Sequence, residues 1–216
     1  MKVMIVNPYR DDISLFRHQG WDVTLNRTED VDLVRYTGGS DIGPHLYGHR
    51  AIPGTYTSPE RDEREVAAYS FAQENRIPVS GFCRGLQFMN AMRGGTMYQD
   101  VDGHTGCTHH VTLAITGQLI PVLSVHHQVV VPPEDAEVIA EGPGLWSYRR
   151  YWDEASGEEG VDIKPQDFEA EIVYYPANGD HAPSFGIQSH PEWMPYDSEL
   201  NKLLWRFVAR LQKERG

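Results

Sequence analysis

The first half of the sequence alternates short apolar runs with polar, helix-like stretches, and few chain topologies accommodate that rhythm. Residues 2–7 read as a buried strand ending at Asn7-Pro8, residues 12–19 as a helix closed by Gly20, and residues 21–25 and 31–36 as further strands. Ser58-Pro59 sets an N-cap and a first-turn proline for a helix reaching about Asn75. Residues 77–82 form the next strand and residues 85–92 the next helix. Strands that alternate with helices pair in parallel, because each connection crosses back over a sheet face. The expected fold is α/β: a mostly parallel central sheet with helices on both faces, flavodoxin-like, in a single domain over residues 1–216.

The second half changes character. Residues 111–115, 119–125, 129–131 and 138–141 are short, β-rich and separated by turn residues, which predicts an antiparallel β extension. Residues 170–175 and 184–188 read as two final strands. Leu200, Leu203, Leu204, Phe207, Val208 and Leu211 recur at helical spacing and predict an amphipathic last helix. Between Asp153 and Glu171, eight acids stand against Lys164 alone, the pattern of a solvated surface insertion.

One segment carries chemistry. In Gly81-Phe82-Cys83-Arg84-Gly85-Leu86-Gln87, glycines frame a cysteine between a predicted strand and a predicted helix. That is the pattern of a nucleophile elbow, a tight turn that lifts the side chain out at the carboxyl edge of the sheet. A thiol at a helix N-terminus also feels the positive end of the helix dipole, which favours the reactive thiolate. The backbone N–H of Arg84 is placed to meet an oxyanion formed on a substrate bound to Cys83.

A cysteine nucleophile needs a base. In Gln188-Ser189-His190-Pro191-Glu192-Trp193, His190 and Glu192 lie two apart on what reads as an extended segment, so their side chains share a side. A carboxylate beside the imidazole fixes its tautomer and stabilises the imidazolium. Thr37-Gly38-Gly39-Ser40-Asp41 follows a predicted strand and offers a second oxyanion donor from Gly38 or Gly39. Arg61-Asp62 with Glu65 reads as N-terminal capping and surface pairing on its helix.

Taken together, these stretches resemble the class I glutamine amidotransferase superfamily, and within it the gamma-glutamyl-hydrolase branch that includes gamma-glutamyl-gamma-aminobutyrate hydrolases. The resemblance is carried by Thr37 to Pro44 with Tyr47-Gly48, Arg61-Asp62 with Glu65, Gly81 to Gln87 with Asn90 and Gly94-Gly95-Thr96, Ser124 with His126-His127-Gln128, and Gln188 with His190-Pro191-Glu192-Trp193. It implies Cys83 as nucleophile, His190 as general base and acid, and Glu192 as the orienting carboxylate. It also implies Gln87, and with it His127, as substrate-binding residues. From the residues alone, His126-His127-Gln128 reads as packing around the site wall. The implied reaction is attack on a gamma-glutamyl amide or glutamine, release of an amine or ammonia, and hydrolysis of a glutamyl thioester. A glutaminase subunit that passes ammonia to a separate synthetase partner would use the same triad.

Composition narrows the remaining classes. Lys and Arg total 19 against 31 Asp and Glu, a net charge of −12 that repels nucleic-acid backbones. No apolar run approaches the roughly 18 residues needed to cross a membrane, and the N-terminus turns polar too early for a signal peptide. Two cysteines exclude a disulfide framework and suit a reducing, cytoplasmic setting. No cofactor is expected. His104, Cys107, His109 and His110 have ligand-type side chains at tight spacing, but they fall in what reads as a loop with no second cysteine pair. A pocket-lining loop or plain surface is expected there, and no metal site.

Overall fold

The computed structural model describes residues 1–28, 30–144, 147–163 and 169–215. Its first half is β1 (Lys2–Val6), α1 (Arg10–His18), β2 (Asp22–Thr24), β3 (Leu33–Tyr36), α2 (Pro59–Glu74), β4 (Val79–Phe82) and α3 (Arg84–Met92). The second half adds β5 (Thr96–Tyr98), β6 (Asp100–Val101), β7 (Thr105–Leu113), β8 (Leu119–Val125), β9 (Val129–Val131), β10 (Glu137–Gly142), β11 (Tyr148–Asp153), β12 (Glu158–Ile163), β13 (Glu169–Tyr175), β14 (Ser184–Ile187) and α4 (Glu199–Glu214).

Among the described residues, nine strands make one sheet in the order β2-β1-β3-β4-β14-β13-β10-β7-β8. Pairing is parallel from β2 through β14. It turns antiparallel from β14 to β8. Strand β14 is therefore the seam: late in the chain, it slots between β4 and the antiparallel extension. Alternate residues feed two cores, as a sheet covered on both faces requires. Val3, Ile5 and Leu33 pack with α1 and α4, whereas Met4, Val34 and Tyr36 pack with α2 and α3. The predicted stripe on α4 is buried at Leu200, Leu203, Leu204, Val208 and Leu211. The Ser198 hydroxyl caps this helix by accepting from the Asn201 N–H at 3.2 Å. None of the described helices is long and apolar enough to cross a membrane.

Three local expectations need correction. The predicted strand at 111–115 is the far end of β7, which begins at Thr105 and absorbs Cys107, His109 and His110. These residues are in a strand, not a loop, because β8 offers them a ladder, pairing Cys107 with Ser124 and His109 with Val122. The acidic stretch is not merely a solvated insertion: β11 and β12 form a hairpin across it. Arg149 and Arg150 supply the positive charge that composition concealed, Arg149 meeting Asp162 at 2.8 Å and Arg150 meeting Glu159 at 2.5 Å across the strands. Lys164 and Asp167 of that run lie outside the described residues. Finally, Arg61, Asp62 and Glu65 are buried rather than surface-paired.

Candidate active site

Gly81 and Gly85 show why the elbow needs its glycine frame. A Cβ on Gly81 would lie 2.3 Å from the Gly85 carbonyl carbon, and one on Gly85 would lie 2.4 Å from the Tyr36 carbonyl oxygen. Between them Cys83 adopts φ 49° and ψ −114°, a conformation that costs free energy in a non-glycine residue and persists only where the surroundings enforce it. Helix α3 starts at the next residue. The Cys83 side chain is not lifted clear into solvent: it is 6% exposed and lines a cavity of ≈ 400 Å³. Tyr9, Asp11, Gly38, Gly39, Val125, His190, Glu192 and Trp193 share that lining.

His190 and Glu192 meet, but not on an extended segment. His190 caps a short 3-10 turn over Pro191–Trp193, and this turn brings Glu192 Oε1 to 2.7 Å from His190 Nδ1. The indole of Trp193, 49% exposed, stacks on the imidazole with ring centres 3.9 Å apart and planes 10° apart. With Nδ1 committed to the carboxylate, Nε2 is the nitrogen left for Cys83. Burial by itself depresses the imidazolium, but the Cys83 sulfur and the Glu192 carboxylate outweigh it and raise His190 to about 10.

The glycines of the β3 turn sit against this pair. A Cβ on Gly38 would come within 2.9 Å of His190 Cε1, and Gly39 has φ 136°. The buried Arg61 explains the turn's orientation: its Nη2 donates to the Gly38 carbonyl at 2.7 Å and the Thr37 carbonyl at 3.1 Å. Because a peptide unit is planar and trans, tying the Gly38 carbonyl to Arg61 turns the Gly39 N–H away from that guanidinium. Arg61 is itself held by Glu65 at 2.8 Å, and Glu65 and Asp62 also grip the fully buried Arg84 side chain. The residues that read as surface pairing are thus a buried ionic frame joining the glycine turn to the elbow.

The structure does not bring every expected residue to the cavity. Gln87 is buried, with its amide reaching the Gln128 carbonyl at 3.4 Å, so it braces the loop after β8 instead of lining the cavity. His127 is drawn off by two carboxylates, Asp41 at 3.0 Å and Asp100 at 3.3 Å, and it too is outside the lining. Cys107 sits on β7, away from the cavity lining. Tyr9 and Asp11 were missed by sequence reasoning and left no signal there. Trp193 and Arg61 stood in the motifs that carry the resemblance, but Trp193 was given no role and Arg61 was read as surface pairing.

In the antiparallel part of the sheet, His104, His109 and His126 crowd against Glu169 and Glu171. Burial raises Glu171, but the imidazoles of His109 and His126 prevail and hold it at about 2. On His104 burial opposes charge, yet Glu169 and Glu171 raise the group above the ordinary histidine range.

Comparison with known proteins gives the chain a family and a set of relatives. The sequence model of the Peptidase C26 family matches residues 18–141, more than half of the chain. A glutamine amidotransferase-like protein of Lactococcus lactis subsp. cremoris is 41% identical over 108 residues, covering 49% of this chain and 54% of that protein. The gamma-glutamyl-gamma-aminobutyrate hydrolase of Escherichia coli O157:H7 is 27% identical over 185 residues, covering 80% of this chain and 68% of the relative. The matches to the first relatives, including the Lactococcus protein, span about half of those proteins' length. Among solved structures, a protein of Thermoplasma acidophilum described as a GMP synthase component superposes with a TM-score of 0.63 at 14% identity, covering 99% of this chain and 94% of that one. That likeness is one of fold.

Proposed function

The chain belongs to the Peptidase C26 family, and on that premise we propose that it is a cysteine-dependent hydrolase of gamma-glutamyl amide bonds. The observation that carries the reading is one cavity lined by a strained elbow cysteine and by a histidine whose Nδ1 is held by a carboxylate at 2.7 Å. Its volume, ≈ 400 Å³, suits a small substrate.

In this reading Cys83 Sγ attacks the gamma-carbonyl carbon, and the carbonyl oxygen becomes an oxyanion held by the N–H groups of Arg84 and of Gly38 or Gly39. The C–N bond then breaks as His190 Nε2 passes its proton to the leaving nitrogen, and amine or ammonia departs from a glutamyl thioester. Water attacks the thioester while His190 takes its proton. The C–S bond breaks, releasing glutamate and restoring the thiolate–imidazolium pair. Glu192 holds the ring and stabilises its charge throughout. The chemistry needs no metal or organic cofactor at this cavity.

The test is glutamate release from a panel of gamma-glutamyl amides with free glutamine included. Turnover of at least one amide, abolished in Cys83→Ala, is expected. Ammonia release from glutamine that appears only when a second protein is added would point instead to a glutaminase subunit serving a synthetase. A folded wild type that cleaves none of the panel, alone or with a partner, overturns both.

A further inference from the structure

The histidine and glutamate cluster outside the cavity takes no part in this chemistry, yet it concentrates more ligand-type atoms than the triad does. His104 precedes β7 and His109 lies on it, while Glu169 and Glu171 stand two apart on β13, where the pairing with β10 is irregular and skips Glu171. We propose that His104, His109, Glu169 and Glu171 form a closed site for one divalent transition-metal ion of the zinc class.

Burial comes first. The four residues are 0%, 7%, 2% and 0% exposed, respectively. Two carboxylates that deep require positive charge beside them. Among the described residues, the ion-pair partners of Glu169 and Glu171 are imidazoles alone: His104 at 2.7 Å, His109 at 3.2 Å and His126 at 3.7 Å. The second oxygen of each carboxylate is buried with no hydrogen-bond partner.

The tautomers sharpen the point. His104 Nδ1 lies 3.1 Å from the Asp102 carbonyl oxygen, and His126 Nδ1 lies 3.0 Å from that of Gln128. A carbonyl only accepts, so each Nδ1 carries a proton. Each Nε2 then aims a lone pair at a carboxylate, a repulsive arrangement until a second proton or a cation enters. A metal-ligating imidazole usually donates its other ring N–H to a backbone carbonyl or a carboxylate, as His104 Nδ1 does to the Asp102 carbonyl.

Space and donor chemistry agree. One ligand atom from each of the four residues falls within 4.8 Å of the others. Metal bonds near 2.0–2.2 Å place tetrahedral ligands about 3.3 Å apart, so small side-chain shifts complete the shell. Gly142 stands opposite Glu169, and a Cβ there would meet Glu169 Oε1 at 2.3 Å, so the strand leaves room for the carboxylate. Mixed imidazole and carboxylate donors favour zinc, iron or manganese over calcium or magnesium. Four protein ligands leave no open position, which makes the site structural. The ion would tie the start of β7 to the start of β13, where the pairing of β10 with β7 has already ended at Glu141 and Thr112.

The full chain, stripped with chelator, is titrated with Zn²⁺ and with Co²⁺, and bound metal is counted after gel filtration. The same titration on Cys83→Ala removes the thiol beside His190 as a competing place for metal. One equivalent is expected in both proteins, with the visible d–d absorption of tetrahedral cobalt and a melting temperature that rises with metal and returns on chelation. His104→Ala and Glu171→Gln should weaken binding by about 100-fold or more, with Glu169→Gln as a milder variant should either fail to fold. Cys107→Ser and His110→Ala, neighbours outside the four, should leave binding unchanged. A folded wild type that retains no stoichiometric Zn²⁺, Co²⁺, Mn²⁺ or Fe²⁺ overturns the proposal, the cluster then being imidazolium–carboxylate pairs. So does metal that is lost in Cys83→Ala and kept in His104→Ala.

Discussion

The molecule holds two buried histidine–glutamate contacts of the same length, and they are wired in opposite senses. His190 meets Glu192 at 2.7 Å through Nδ1, and His104 meets Glu169 at 2.7 Å through Nε2. In the first, the carboxylate takes the inner nitrogen and leaves the outer one facing a thiol and a cavity. In the second, the inner nitrogen is spent on the Asp102 carbonyl and the outer one on the carboxylate, so nothing remains to move a proton. The pair alone does not make a base; what makes one is which nitrogen stays uncommitted.

The sharpest way to break this comparison is to exchange the histidines' fates. His190→Asn should lower kcat/KM by about 10⁴-fold or more, as loss of the base in a catalytic unit does, while His104→Asn should leave any folded protein within about tenfold of wild type. Loss of turnover in a folded, cooperative His104→Asn protein would show that the two regions are not separable. The measurement is kcat/KM on one good gamma-glutamyl substrate, beside a thermal melt.

Glu192→Gln comes next. It keeps the shape but removes the charge that orients the ring, so a loss of about 10²–10⁴-fold is expected, with residual turnover. The pH–rate profile should shift as well, because Glu192 helps raise His190 to about 10.

A third test reads the pair through stability. His190 is raised in the folded protein, so its contribution is complete below the ordinary histidine pKa of about 6.5 and is lost as pH climbs through about 10. Any melting-temperature advantage of wild type over Cys83→Ala should therefore shrink from about pH 6.5 upward and be gone above about pH 10. A gap that stays constant would mean that Cys83 does not charge His190.

The smallest effect concerns Trp193. A stacked aromatic contact is worth about 1 kcal/mol, so Trp193→Ala should cost about fivefold in kcat with KM little changed. A KM effect instead would place the indole against substrate.

The same contrast explains what was legible in the sequence. Cys83 could be found because its constraints are local: Gly81 and Gly85 answer close approaches within a few residues and to the adjoining strand. His190 and Glu192 were found by spacing, although the backbone joining them is a 3-10 turn and not the extended segment that spacing suggests. The alternation of the first half likewise specified its parallel sheet. The other cluster could not be assembled in that way. His104 and Glu169 are joined only when β7 and β13 enter one sheet, and Glu169 and Glu171 stand at the end of an acid-rich run that looks solvated. Arg61 was hidden for a related reason. On a helix beside Glu65 it resembles any surface pair, until the glycine turn packs over it and buries both.

The position of β14 sets a timetable as well as a topology. A ribosome adds about 5–20 residues each second and lets early segments fold first. Cys83, its glycine frame and α3 all emerge long before Ser184–Ile187, and His190, Glu192 and the stacking indole follow only after that strand. A growing chain therefore carries Cys83 without His190 beside it until β14 takes its place between β4 and β13. On the proposed mechanism the unfinished protein is chemically silent, and competence arrives late, when the seam closes.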